Sequence, residues 1–89
     1  MLEESVEIIN KLGLHARAAT KLANTANRYA SKLTVCLDGK EIDGKSIMSL
    51  MLLAAAKGTV ITLRVEGKDE AEAMDGLKAL INNRFDEEV

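Results

Sequence analysis

Two stretches of this chain alternate apolar and polar residues with a period of two. Leu33, Val35 and Leu37 are separated by Thr34 and Cys36, and Ile61, Leu63 and Val65 are separated by Thr62 and Arg64. That period puts every apolar side chain of a strand on one face and leaves the other face to water. Strands of this kind belong in a sheet covered on one side only, so a layer of helices against one face is the architecture they admit.

The rest of the chain supplies those layers. Val6-Glu7-Ile8 alternates and runs on into Ile9, which predicts a first strand. Gly13 breaks the chain before a helix predicted from about Ala16 to Arg28, with Ala19, Leu22, Ala26 and Tyr29 recurring on its inner face. Asp38-Gly39 is a preferred pair for a tight hairpin turn, and Lys40 to Ile42 reads as a short return strand at a sheet edge. Ser46 is placed to cap a short helix from Ile47 to about Ala55, ended by Lys57-Gly58. After the Ile61–Val65 strand, Asp69 and Glu72 have capping-box spacing for a last helix. Its core side would hold Ala73, Leu77, Leu80, Ile81 and Arg84, with Met74 adjoining and Gly76 as a close-packing position. The expected order is βαββαβα: an α+β open-faced β-sandwich, a four-stranded, mainly antiparallel sheet with three helices on one face. Without linker, repeat or proline, residues 1–89 read as a single domain.

Composition removes several function classes. The formal net charge is -2 and there is one tyrosine, one phenylalanine and no tryptophan, which suits neither a basic nucleic-acid surface nor base stacking. The apolar stretch Ile47–Ala56 is too short to span a bilayer, and no basic secretory signal opens the chain. One cysteine, Cys36, allows no internal disulfide; a reducing, cytoplasmic setting and a spectator role for Cys36 follow.

His15, the only histidine, sits in Asn10-Lys11-Leu12-Gly13-Leu14-His15-Ala16-Arg17-Ala18-Ala19, where a helix is expected to begin. The first N–H groups of a helix lack internal acceptors and welcome an anion. A ring nitrogen placed there can accept a phosphoryl group, with the amides near Ala16, Arg17 and Ala18 as its cradle and Arg17 as its charge partner. As an isolated residue, His15 reads equally as a solvated loop side chain or a weak cap. One histidine and one cysteine on separate elements fall short of a zinc set, so no metal is expected, and no serine or carboxylate is placed against His15 by the sequence.

A second motif is a trap. Gly39-Lys40-Glu41-Ile42-Asp43-Gly44-Lys45-Ser46 satisfies the P-loop pattern of nucleotide-binding proteins. Gly39 is already committed to a hairpin, the residues between the glycines alternate like a strand, and Glu41 and Asp43 would repel phosphates. Ser46 has two compatible readings, a helix cap and a phosphorylation site whose added charge a helix N-terminus tolerates. Ile47, Met48, Met51 and Leu52 exceed what one core face of a short helix needs, so some of Ile47, Met48 and Met51 either pack inside or form an adaptable docking patch.

Over essentially its full length the chain resembles the HPr family of phosphocarrier proteins of the bacterial phosphotransferase system. Gly13-Leu14-His15-Ala16-Arg17 is similar to that family's active-site motif, Gly44-Lys45-Ser46-Ile47-Met48 to its regulatory-serine segment, and Lys57-Gly58-Thr59 lies where the family has it before the last strand. The resemblance implies no cofactor and no catalyst. It implies a relay in which Enzyme I, drawing on phosphoenolpyruvate, phosphorylates His15 on Nδ1, and His15 passes the group to a histidine of an Enzyme IIA protein. Thr20, Lys45, Ile47, Met48 and Met51 would contact partners, and Ser46 would be a target of HPr kinase/phosphorylase in a host that has it. Where the family often has proline after the arginine, this chain has Ala18, which implies altered rigidity of the first turn. The tail Leu80–Glu88 is similar to the nitrogen-related branch, called NPr, while a sugar-linked role stays open. A shuttle that shows one face to donor and acceptor in turn is expected to be a monomer. The alternatives are a regulatory adapter that binds through Ile47–Met51 without phosphorylation, and an ATP-using enzyme built on the P-loop pattern.

Overall fold

The computed structural model describes all of residues 1–89. Strands β1 (Leu2–Glu7), β2 (Lys32–Leu37), β3 (Lys40–Asp43) and β4 (Val60–Glu66) form one sheet in the order β1-β4-β2-β3, and all neighbours are antiparallel. Helices α1 (Ala16–Ala26), α2 (Ile47–Leu53) and α3 (Glu70–Asn82) complete the βαββαβα order, followed by a single turn over Arg84–Asp86. Register explains the one-sided core. Leu33 faces Val65, Val35 faces Leu63 and Val6 faces Ile61 across the ladders, and these six side chains are buried beneath the helices. Thr34, Thr62 and Arg64 alternate onto the open face, where Arg64 joins Glu3 on β1 to Glu41 on β3. Cys36 lies half-buried in β2 and is a free thiol.

Asp38 and Gly39 both take positive φ, 50° and 82°, the combination a type I′ hairpin needs. Residues 40–43 are therefore ladder rather than loop, and the P-loop pattern has no phosphate cradle to belong to. Gly76 is a contact position: a Cβ there would fall 2.2 Å from the Tyr29 hydroxyl.

Several local expectations shift. β1 begins at Leu2, because β4 pairs back as far as Leu2–Val65; Glu4 breaks the apolar alternation and hides that start from the sequence. Ile8 lies past the strand but is fully buried and exchanges backbone bonds with Gly58 and Thr59. α1 stops at Ala26, where the Asn27 side chain takes the Ala23 carbonyl at 2.8 Å. α2 stops at Leu53, and its C-terminal cap is Ala54 at φ 54°, not Lys57-Gly58, since Gly58 is pairing with Ile8. The Asp69–Glu72 capping box does not form. Asp69 instead accepts from the amides of Ala30 (2.8 Å) and Ser31 (2.9 Å) and from the Ser31 hydroxyl, pinning the loop before β2. Arg84 is exposed, and the buried position goes to Phe85.

Candidate functional site

His15 is the residue just before α1, with extended backbone (φ -78°, ψ -179°), and its side chain caps nothing. The first intrahelical bond is Ala19 N–H to the His15 carbonyl at 2.8 Å, so the amides of Ala16, Arg17 and Ala18 have no acceptor within the helix. Arg17 is exposed and takes part in no ion pair, while Ala18 is fully buried. The Thr20 hydroxyl donates to the Ala16 carbonyl at 2.8 Å, within the first turns of α1.

Two other segments hold the ring in place. The first is the chain after α2: Leu14 N–H donates to the Ala55 carbonyl at 2.8 Å, and Gly13 (φ +66°) lies so close that a Cβ there would stand 2.6 Å from the same oxygen. The second is the chain after α3. Arg84, Phe85 and Asp86 have φ of 55°, 53° and 64°, a left-handed run that costs about 1–2 kcal/mol per residue. Burial of the whole Phe85 ring offsets part of that cost, and Lys21 Nζ donates to the Phe85 carbonyl at 2.9 Å. The run delivers Glu87 to the histidine. Glu87 Oε2 is paired with His15 Nε2, and Glu87 Oε1 accepts from Asn10 Nδ2 at 3.0 Å; the same Asn10 amide donates to the Gly13 carbonyl at 2.7 Å. Burial works against the Glu87 charge, but the Asn10 amide and the His15 ring, with Lys21 nearby, outweigh it and hold the carboxyl below the usual range. An ionised carboxylate only accepts, so in the neutral ring Nε2 carries the hydrogen. Nδ1 is left with its lone pair and no partner.

α2 runs alongside α1 in the opposite sense. At its start, Lys45 Nζ donates to the Tyr29 carbonyl at 2.9 Å and Asn27 Nδ2 to the Lys45 carbonyl at 3.2 Å. The Ser46 hydroxyl accepts from Ser49 N–H at 3.2 Å, capping α2 as the sequence expects. Ser46 and Lys45 thus lie at the far end of α1 from His15, about 16 Å along an eleven-residue helix. Toward the other end of α2, Met51 joins Leu12, Leu14, His15, Ala54, Ala55 and Ala56 around an open hollow of about 290 Å³. Ile47, Met48, Met51 and Leu52 are all exposed, and Leu50 alone of α2 is fully buried.

The chain matches the family model described as "PTS HPr component phosphorylation site" over residues 2–83. It belongs to the HPr family. The phosphocarrier protein HPr of Neisseria meningitidis is 58% identical over 87 residues, which is 98% of either chain. Two solved structures from Thermoanaerobacter tengcongensis are also similar. The HPr-C-His chain has a TM-score of 0.96 at 44% identity with both chains covered completely, and a chain described as an HPr dimer has 0.78 at 44% identity over 98% and 100%. This HPr-family fold therefore carries His15, Arg17 and the unpaired amides of residues 16–18 at one corner, and Ser46 at another. Sequence reasoning missed Asn10, Leu12, Lys21 and Glu87. Asn10 and Leu12 stand inside the quoted His15 run, but nothing local selects Glu87 over Glu88.

Proposed function

We propose that this chain is a phosphoryl relay: His15 takes a phosphoryl group on Nδ1 from Enzyme I, charged by phosphoenolpyruvate, and hands it to a histidine of an Enzyme IIA protein. The observation that carries the reading is the unused lone pair of Nδ1 on a residue that begins a helix whose first amides are also unused. The phosphoryl oxygens would meet the amides of Ala16, Arg17 and Ala18 and the Arg17 guanidinium, which carry positive potential before any charge arrives. The chain is a substrate and carrier in this scheme and not a catalyst.

The hollow beside His15, lined in part by Met51, and the exposed Ile47 and Met48 at the start of α2 offer partners an apolar surface. Thr20 and Lys45 are less available in the free protein, because each already donates to a carbonyl. Ser46 would act as a regulatory site from the far end of α2, changing partner fit without disturbing the His15 ring. The relay would work in the cytoplasm as a monomer, which light scattering on a sizing column tests; a stable dimer would count against it.

The deciding experiment is phosphorylation by phosphoenolpyruvate with Enzyme I from the sugar-linked and nitrogen-related branches, beside His15→Ala. An acid-labile, alkali-stable phosphate on the native chain alone supports the relay, and the better donor names the branch. No phosphate from either donor would shift the reading to an adapter that binds through the Ile47–Met51 face.

A further inference from the structure

The segment after α3 spends three consecutive left-handed residues to bring one carboxylate onto the histidine. It does so outside residues 2–83, the part of the chain that matches the family model. The carboxylate is also held from behind: Asn10 Nδ2 fixes its second oxygen at 3.0 Å, and Asn10 is fully buried and bonded to the Gly13 carbonyl, two residues before His15. Phe85 anchors the turn in the core, and Lys21 ties its carbonyl to α1. Glu87 is thus oriented from several directions, with only 14% of its side chain exposed. A surface carboxylate with no role would not be expected to be held so fully.

We propose that Glu87 is a positioning residue for phosphoryl transfer, acting through Nε2 of His15. It has two effects. It fixes the tautomer with hydrogen on Nε2, which directs the nucleophilic lone pair to Nδ1. It also faces the charge that transfer creates. As the Nδ1 lone pair forms the bond to phosphorus, the bond from phosphorus to the donor breaks and its electron pair leaves with the donor. Nε2 keeps its hydrogen, so the ring becomes positive while the phosphoryl group stays negative. Glu87 meets that positive ring across the Nε2–H bond, an arrangement of the kind that carboxylates provide for imidazolium elsewhere. When the group moves on, the same bond holds the proton on Nε2 and the ring leaves as the neutral tautomer it began as. The inference rests on the relay reading for its kinetics but not for its tautomer.

The test compares the native chain with Glu87→Gln and Glu87→Ala, using two readouts. The first is the pair of ring nitrogen chemical shifts of His15, measured by NMR at alkaline pH. The native chain should show the Nε2–H form dominant, Glu87→Gln should retain it through its side-chain carbonyl, and Glu87→Ala should move toward a mixture. The second is phosphorylation by phosphoenolpyruvate and Enzyme I. Both variants should lose about ten- to a hundredfold in maximal rate, the scale of one charge-assisted hydrogen bond, with the KM for this chain nearly unchanged. Glu88→Gln, one residue on, should match the native chain in both readouts. Native shifts in Glu87→Ala, or a native rate in either variant, would overturn the proposal. If no chain is phosphorylated, the relay reading fails by itself, and the shifts still decide whether Glu87 sets the tautomer.

Discussion

Replacing Gly13 by alanine separates two costs that coincide at this position. The first is conformational: φ of +66° is unfavourable for a residue with a Cβ, by about 1–2 kcal/mol. The second is contact. The new carbon would stand 2.6 Å from the Ala55 carbonyl oxygen and 2.9 Å from Ala56 Cα, and both are backbone atoms that cannot rotate away. Relief requires the 54–56 segment to move back, which loosens the 2.8 Å bond from Leu14 N–H to Ala55 and forfeits roughly 0.5–1.5 kcal/mol. The sum is about 1.5–3.5 kcal/mol. Against a total stability of about 4–13 kcal/mol for a chain this long, the variant should still fold, with its melting temperature lowered by roughly 6–28 °C. Gly39→Ala is the matched control, since φ there is +82° and nothing lies within 4 Å of the added carbon. Urea denaturation of both should place Gly13→Ala about 1 kcal/mol below Gly39→Ala. Because Leu14 leads directly into His15, phosphorylation should slow in Gly13→Ala and remain native in Gly39→Ala. Equal stability of the two variants would refute the contact argument.

Three further outcomes follow from the same kind of reasoning. The Asp69 carboxyl is held below its ordinary range, chiefly by the Ser31 hydroxyl with help from the Ala30 amide. Its contribution to stability is therefore complete above the unfolded carboxyl value of about 4 and is lost as pH falls through the lower folded value. Asp69→Asn should be less stable than the native chain at pH 7, with the gap in urea midpoint narrowing steadily as pH falls below about 4; a gap that does not narrow would contradict this. Ser46→Ala should cost about 1 kcal/mol through loss of the α2 cap, whereas Ser46→Asp should stay near native stability because a carboxylate also caps, which thermal melts can compare. Ala54→Gly should stabilise by about 0.5–1 kcal/mol, since the α2 cap needs φ of 54°; a lower melting temperature would show that the alanine methyl contributes packing.

The elements that sequence patterning identifies are those whose signal lies within a few residues. Alternation in β2 and β4 fixes which side chains face inward, because a one-residue slip would turn the whole apolar set to water. Asp38-Gly39 carries its hairpin in the two φ values it permits, and Ser46 carries its cap in one side-chain oxygen. Asp69 shows where that logic fails. Its spacing to Glu72 satisfies the capping-box rule, but two amides and a hydroxyl near Ser31 compete for the same carboxylate. Those donors lie 38 and 39 residues away and have no trace in the local sequence.

The site divides in the same way. The sequence alone determined the histidine, the arginine beside it, the helix that begins there and the family to which the motifs belong, since all of these are set by neighbours along the chain. Tertiary structure alone decided which ring nitrogen is free. The partner of Nε2 is 72 residues distant and is delivered by a left-handed turn that no local propensity favours. Tertiary structure likewise left the apolar residues of α2 other than Leu50 and Leu53 exposed, and pressed Gly13 against Ala55. Periodicity records which residues avoid water, whereas the choice of contact belongs to the packing of elements far apart in sequence.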